Sequence, residues 1–248
     1  MDNAQKSYST GDLNRLAYEV NSDLDGIFSF SDKNSLGYIF DLGTDDGRES
    51  FLAFSRRLDI PQNEVSKLLT GRLRAACRYL GRVEGQGNYM ITLSKFDERT
   101  PLDMGEELTH VEHYVEHDVD GDYGGKFFEP FKEFLGYLGM EHIARKYAKV
   151  NRKKIELIIR HPENAECFES DANHTIGYCV GHELLKKGDV PYKELFHATD
   201  QMEGWKIVNG IARPEIGIKV PEGVEIDEAS ELLKRNIGSL DARIELFR

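Results

Sequence analysis

The order of hydrophobic patterns in the C-terminal half is the strongest constraint on the fold. The apolar run Ile155-Glu156-Leu157-Ile158-Ile159 follows a polar turn and predicts the second strand of a hairpin that begins near His142. A helix is predicted over residues 172–187, and further strands are predicted over residues 192–199 and 205–220. Hairpin, helix and strand, joined by polar turns, predict an α+β fold with helices packed on an antiparallel sheet.

The N-terminal half is predicted to be a second α+β unit. Ser9-Thr10-Gly11-Asp12 is typical of a helix start. Strands are predicted over residues 27–31, 36–42 and 89–93, and a helical stretch over 49–80 with an interruption near Ile60-Pro61. Residues 97–103 are predicted to be an exposed linker. The chain is therefore divided into an N-terminal domain (1–100), a linker and histidine-rich segment (101–123), a C-terminal domain (124–222) and a final helix (223–248).

Composition limits the possible partners. The 248 residues carry a net charge of −12, which argues against nucleic acid and against anionic membrane surfaces. The segment Leu58 to Val65 fits the turn of a helix-turn-helix, but two packed core helices are the favoured interpretation. No apolar run reaches the roughly 20 residues of a membrane span, so membrane insertion is not expected. Three cysteines without close spacing, and a polar N-terminus, favour a reducing cytoplasmic location.

A family resemblance rests on several short motifs. A helix ends in Leu138-Gly139, the helix after the hairpin opens with Ile176-Gly177-Tyr178 near Cys179, and Tyr192-Lys193-Glu194 follows. Residues 124–220 thereby resemble the 4-vinyl-reductase domain family, most closely the effector-binding domains of aromatic-sensing transcription activators. The small subunits of the TRAPP vesicle-tethering complex share that fold.

The resemblance implies a pocket for a small hydrophobic molecule. Its walls would include the aromatic residues Phe131, Phe134, Tyr147, Tyr178 and Trp205. The zinc-bearing branch of the family implies four ligand positions, which fall here on Ala172, Glu194, His197 and Trp205. Ala172 and Trp205 cannot bind zinc, so only Glu194 and His197 remain as ligands. Cys167, His174 or Cys179 would have to complete the site.

A histidine-rich segment provides a second metal signal. If residues 108–119 form a helix, His110, His113 and His117 lie on one stripe; if they form a strand, His113 and His117 still share a face. His113-Tyr114-Val115-Glu116-His117 matches the H-x-x-E-H pattern, in which the histidines bind zinc and the glutamate acts as a base. The alternative is an exposed polar face.

An acidic segment provides a third signal. Asp118, Asp120, Asp122 and Glu129 stand at positions 1, 3, 5 and 12 of a calcium-loop pattern. Tyr123 occupies the sixth position, where a sharp turn requires glycine, so a solvated acidic turn is the competing interpretation. Calcium is therefore less favoured than zinc.

Three functional hypotheses follow from these signals. The first is a cytoplasmic sensor or regulatory protein that binds a small hydrophobic ligand in its C-terminal domain and acts as a homodimer or with a protein partner. The second is a zinc-dependent, hydrolase-type enzyme built on His110, His113 and His117. The third is an assembly module of a protein complex. Because the sequence shows no complete catalytic constellation, a function other than catalysis is favoured.

Overall fold

The computed structural model describes residues 10–32, 35–70, 74–94, 96, 99–118, 129–147, 177, 180–181, 184–185 and 188–212. In this part of the chain the helices are α1 (Thr10–Phe28), α2 (Asp45–Arg57), α3 (Gln62–Leu69), α4 (Thr100–His117), α5 (Glu129–Tyr147), α6 (Tyr192–Phe196) and α7 (Gln201–Ala212). The strands are β1 (Leu36–Asp41), β2 (Ala75–Val83) and β3 (Gln86–Leu93). Residues 177, 180–181 and 184–185 are also helical. The predicted α+β class is confirmed.

The strands form a mixed sheet in the order β1-β3-β2. Strands β2 and β3 are antiparallel and are joined by Glu84 and Gly85, whose φ angles of 52° and 82° suit a two-residue hairpin turn. Strand β1 pairs with β3 in parallel. The prediction of an antiparallel sheet is therefore wrong for β1, because helices α2 and α3 carry the chain across the sheet before the hairpin starts.

The central strand β3 separates two hydrophobic clusters. Tyr89, Ile91 and Leu93 point to the cluster formed with α1, α4 and α5, whereas Met90 belongs to the cluster formed with α2 and α3. This alternation follows from the two-residue period of a strand. The sheet is thus covered on both faces, and α4 lies on the larger core.

Helix α4 is the central helix of the larger core. Pro101 stands in its first turn and Asp118 caps its C-terminus with a left-handed backbone, at φ 47°. Asp103 near its start lies 3.0 Å from the Arg74 guanidinium. Segment 101–123 was predicted to be a linker and a histidine-rich segment, but its described part belongs to α4, and most residues up to Val115 are buried in the core.

Several other elements differ from the sequence predictions in the N-terminal half. Residues 27 and 28 complete helix α1, where a strand was expected, and residues 100–103 begin α4 rather than lying in an exposed linker. The break near Ile60-Pro61 is confirmed, but the helical stretch ends at Leu69. Ala75, Cys77 and Tyr79 then alternate toward the larger core along β2. The helical prediction rested on the spacing of Leu69, Leu73 and Ala76. Ala75, Cys77 and Tyr79 instead have the two-residue period of a strand, and pairing with β3 stabilises it.

The predicted strands of the C-terminal half are wrong wherever the structure describes them. Helix α5 continues through Gly139 to Tyr147, where a strand from His142 was expected. Gly139 does not end the helix because it packs against Thr109 of α4. Residues 192–196 and 201–212 are helical, and Trp205 and Val208 lie one turn apart in the core. The predicted strand 154–161 and final helix 223–248 lie outside the described residues.

Among the described residues, no helix combines the length and the apolar character that a membrane crossing requires.

Candidate metal centre

The three histidines of α4 lie on one side of the helix, as the helical interpretation predicted, but they are not on an exposed face. His110 and His113 are buried, and the rings of His113 and His117 lie with their centroids 4.5 Å apart. Burial lowers the pKa of His113 well below its usual value, and the neighbouring histidines lower it further. The stripe is buried because α5 and the segment around Phe196 cover it.

Three potential metal ligands converge where α4 meets α5. Glu106 and His110 lie one turn apart on α4, and Glu133 reaches them from α5; their ligand atoms all lie within 4.8 Å of one another. His110 Nε2 is 3.5 Å from Glu133 Oε2. Two atoms that bind one ion at about 2.0–2.2 Å can be at most about 4.4 Å apart. The His110 and Glu133 atoms are therefore already close enough to bind the same ion. A rotation of Glu106, which is only half-buried, would complete the set.

A glycine creates the space that the site occupies. A Cβ atom at Gly136 would lie 2.6 Å from His110 Cε1 and 3.2 Å from Glu106 Cγ. Any larger residue would therefore require both ligands to move. Gly136 stands one helical turn after Glu133, so the same face of α5 carries a ligand and the glycine that leaves room for the other two ligands.

Further charged and polar groups surround the ligand set. The Cys77 side chain is hydrogen-bonded to Glu107, and Lys132 Nζ lies 4.0 Å from Glu133 Oε1. Burial raises the pKa of the Glu107 carboxyl and that of the Cys77 thiol. A thiol with a raised pKa is a poor nucleophile and a poor metal ligand, so neither role is assigned to Cys77.

A second polar cluster lies at the C-terminal end of α4. Glu116 accepts hydrogen bonds from the Ser31 amide at 3.2 Å and the Ser31 hydroxyl at 2.9 Å, and it lies 2.9 Å from His197 Nδ1. His197 Nε2 faces the carbonyl oxygens of Phe28 and Ser29 at 3.1 and 3.0 Å. This cluster links α1, α4 and α6. Glu116, predicted to be the base of the H-x-x-E-H pattern, has structural partners here.

Of the four zinc positions that the family resemblance implies, the structure describes Glu194, His197 and Trp205. Both ring nitrogens of His197 face hydrogen-bond acceptors, and a nitrogen that donates has no lone pair for a metal. Glu194 is exposed on α6, and Trp205 is buried among aromatic rings. His117 Nε2 lies 3.2 Å from the carbonyl oxygen of Phe196. Ala172 lies outside the described residues, as do Cys167, His174 and Cys179.

The acidic segment is described only at its ends. Asp118 caps α4, and its carboxylate accepts a hydrogen bond from the Tyr79 hydroxyl at 2.8 Å and lies 3.5 Å from Arg82 Nε. Glu129 begins α5. Asp120 and Asp122 lie outside the described residues, so the calcium hypothesis stays a prediction.

The predicted pocket walls pack against one another where the structure describes them. The Phe131 ring contacts Trp205 at a centroid distance of 5.1 Å and Phe134 at 5.7 Å, and all three side chains are buried. Tyr147 is half-buried at the edge of the same core. The side chain of Tyr178 lies outside the described residues. The described rings therefore contribute to core packing.

Sequence reasoning found His110 and missed both carboxylates of the ligand set. Glu106 precedes His110 by four residues, and this spacing brings two side chains together on a helix. That signal was present in the sequence. Glu133 had no such signal, because only the packing of α5 against α4 brings it to His110.

Comparison with protein-family models, curated proteins and solved structures finds no match to this chain. The 4-vinyl-reductase resemblance therefore stays a prediction.

A buried carboxyl on another side of α4 gives the protein a pH-dependent stability. Glu112 accepts a hydrogen bond from the Ser35 hydroxyl at 2.7 Å, and burial raises its pKa to about 7 from 4.5. The folded state therefore binds a proton more tightly than the unfolded state, and stability falls as the pH rises through this window. Relative to Glu112→Gln, the wild-type protein should lose up to about 3 kcal/mol of unfolding free energy between pH 4.5 and 8.

Urea unfolding of both proteins at several pH values measures this difference, with the exposed Glu49→Gln variant as a control. A difference between wild type and Glu112→Gln that does not change with pH would show that Glu112 titrates normally.

Proposed function

We propose that this protein is metal-dependent: Glu106, His110 and Glu133 bind one divalent transition-metal ion and leave part of its coordination sphere open to a small substrate. The observation that carries this proposal is the convergence of the three ligand atoms within 4.8 Å, from two helices, in a mostly buried position. One imidazole and two carboxylates suit Mn²⁺, Fe²⁺ or Zn²⁺.

The charge of the cluster supports a bound cation. Glu106 and Glu133 approach each other beside a third carboxyl, Glu107, and the Lys132 ammonium lies 4.0 Å from Glu133 Oε1. Carboxylates held together in a poorly hydrated place repel one another and need positive charge or protons nearby. A divalent ion at the ligand atoms would supply that charge where the carboxylates converge.

Three ligands converge among the residues that the structure describes, and this number supports a reactive rather than a purely structural role. Structural zinc sites are usually closed by four protein ligands, whereas catalytic sites use three and keep a position for water or substrate. A metal ion at this position would polarise a bound carbonyl or phosphoryl oxygen, or lower the pKa of a bound water. This chemistry fits the hydrolase-type hypothesis, with Glu106 and Glu133 replacing His113 and His117 as ligands.

Metal titration of the purified, chelator-treated chain tests the proposal. Wild-type protein should bind one Mn²⁺, Co²⁺ or Zn²⁺ ion per chain, measured by calorimetry and elemental analysis. His110→Gln and Glu133→Gln should each weaken metal binding by about 10-fold to 100-fold or more. Loss of a residue that only hydrogen-bonds to a metal ligand already has an effect of that size, and loss of a ligand should have at least the same effect.

Two substitutions on α5 are matched controls. His142→Gln removes another histidine, and Glu141→Gln removes a similarly buried carboxylate that pairs with Arg145. Both controls should bind metal like the wild type. The proposal fails if wild-type protein binds no stoichiometric metal. It also fails if His113→Gln abolishes binding while His110→Gln does not, because the ion would then lie at the H-x-x-E-H motif.

The sensor and assembly functions stay predictions. The sensor needs a cavity for a hydrophobic ligand, whereas Phe131, Phe134 and Trp205 fill their space with one another. The described geometry therefore supports the metal-dependent function best.

A further inference from the structure

We propose that the open position of this metal ion takes a small oxyanion, a phosphate or carboxylate group, and that Lys132 holds a second oxygen of the same group. This inference rests on the proposed metal-dependent function and names the class of substrate that the site would accept. It assigns to Lys132 a role in binding substrate.

The carboxylate of Glu133 places Lys132 beside the metal ligands. One oxygen, Oε2, lies 3.5 Å from His110 Nε2, and the other, Oε1, lies 4.0 Å from Lys132 Nζ. The two oxygens of one carboxylate thus face the metal ligand on one side and the ammonium on the other. The oxygens of another carboxylate have the same spacing, and those of a phosphate group have a similar one. Such a group can therefore bind the metal ion through one oxygen and approach Lys132 with another, alongside Glu133.

Lys132 is held in place rather than free in solvent. Its side chain is 16% exposed, and its ammonium lies over the Tyr114 ring, 5.5 Å from the centroid. A cation over an aromatic face is stabilised by the ring electrons. Tyr114 belongs to α4, so this contact places the Lys132 ammonium on the α4 side of α5. By contrast, the side chain of Lys146, further along α5, is 55% exposed and pairs with Asp23 of α1.

The balance of charge favours an added anion once the metal is bound. A divalent ion offsets the two ligating carboxylates, Glu106 and Glu133, so Glu133 attracts Lys132 less strongly. The Lys132 ammonium can then pair with an anionic group on the metal. A metal ion and an ammonium on two oxygens of one group would stabilise negative charge that develops on it during reaction.

Calorimetry with the metal-loaded full chain tests the inference, with inorganic phosphate and acetate as separate probes. Wild-type protein should bind at least one of them when loaded with Mn²⁺ and neither when metal-free. The tighter probe distinguishes phosphoryl from carboxylate substrates. Lys132→Met should weaken that binding by about tenfold or more, the range of a charge-assisted hydrogen bond, while Mn²⁺ affinity is retained.

Two further variants make the test specific. Lys132→Arg keeps the positive charge and should retain anion binding within a few-fold, while retained Mn²⁺ affinity in Lys132→Met excludes a general loss of folding. Lys146→Met removes a surface lysine and should change neither affinity. Metal-loaded protein that binds neither anion would overturn the inference, as would Lys132→Met binding the anion as tightly as the wild type. In both cases stoichiometric metal binding would remain, so the proposed metal-dependent function would stand. Absence of bound metal in the wild-type protein would contradict both the proposed function and the anion-binding inference.

Discussion

Phe134→Ala should lower the free energy of unfolding by about 3–5 kcal/mol, the usual effect of removing a large aromatic side chain from a core. Phe134 is fully buried and contacts the Phe131 and Trp205 rings. It also lies on the helix that supplies Glu133. Its removal would leave a cavity that α5 and α7 can fill only by moving together, and urea unfolding at constant pH measures the cost.

Tyr18→Ala is the control for this prediction, because the Tyr18 side chain is 76% exposed and its loss should change stability by less than about 1 kcal/mol. If Phe134→Ala costs as little as Tyr18→Ala, the ring does not support the core. That result would favour the sensor hypothesis, in which Phe134 lines a space for a ligand.

Gly139→Ala should destabilise the protein by about 1–3 kcal/mol, the range for an overpacked core. A Cβ atom at this position would lie 2.0 Å from Thr109 Oγ1 and 3.2 Å from the carbonyl oxygen of Gly105, so α4 and α5 would have to separate. Since the metal ligands lie on both helices, metal affinity should fall with stability. Thermal unfolding and Mn²⁺ titration of the same sample measure the two effects.

A double variant identifies the clash as the cause. In Thr109→Ala/Gly139→Ala the nearest clashing atom is removed, so the double variant should be more stable than the sum of the two single effects predicts. Gly26→Ala is the matched control, because nothing lies within 4 Å of a Cβ atom at that helical position and the substitution should be neutral or slightly stabilising. Additive effects of Thr109→Ala and Gly139→Ala would contradict a close contact between the helices.

The sequence predicted the helices whose apolar pattern extends over many residues, and it predicted that the histidines share one side of a helix. It did not predict the complete ligand set. A helix was one of the two interpretations of residues 108–119, and the structure confirms it as far as His117. The sequence could not show that its histidine stripe is buried. Burial depends on α5, and the close approach of α5 depends on Gly136 and Gly139, whose role is visible only once both helices are in place.

The wrong assignments share a physical cause. Residues 192–196 and 201–212 carry apolar side chains whose short runs fit a strand or a helix, and tertiary packing selects the helix. The resemblance to a family with a sheet in this region added strands that the described residues do not contain. Glu133 shows the same limit for the site: its partner His110 is 23 positions away in sequence and on another helix.

Anomalous X-ray diffraction from crystals of the full chain grown with Zn²⁺ tests the central claim most directly. The account predicts one strong anomalous peak per chain between the side chains of Glu106, His110 and Glu133, lost in Glu133→Gln crystals and retained in Glu141→Gln crystals. A peak between His113 and His117, or no ordered peak in the larger core at saturating zinc, would contradict it.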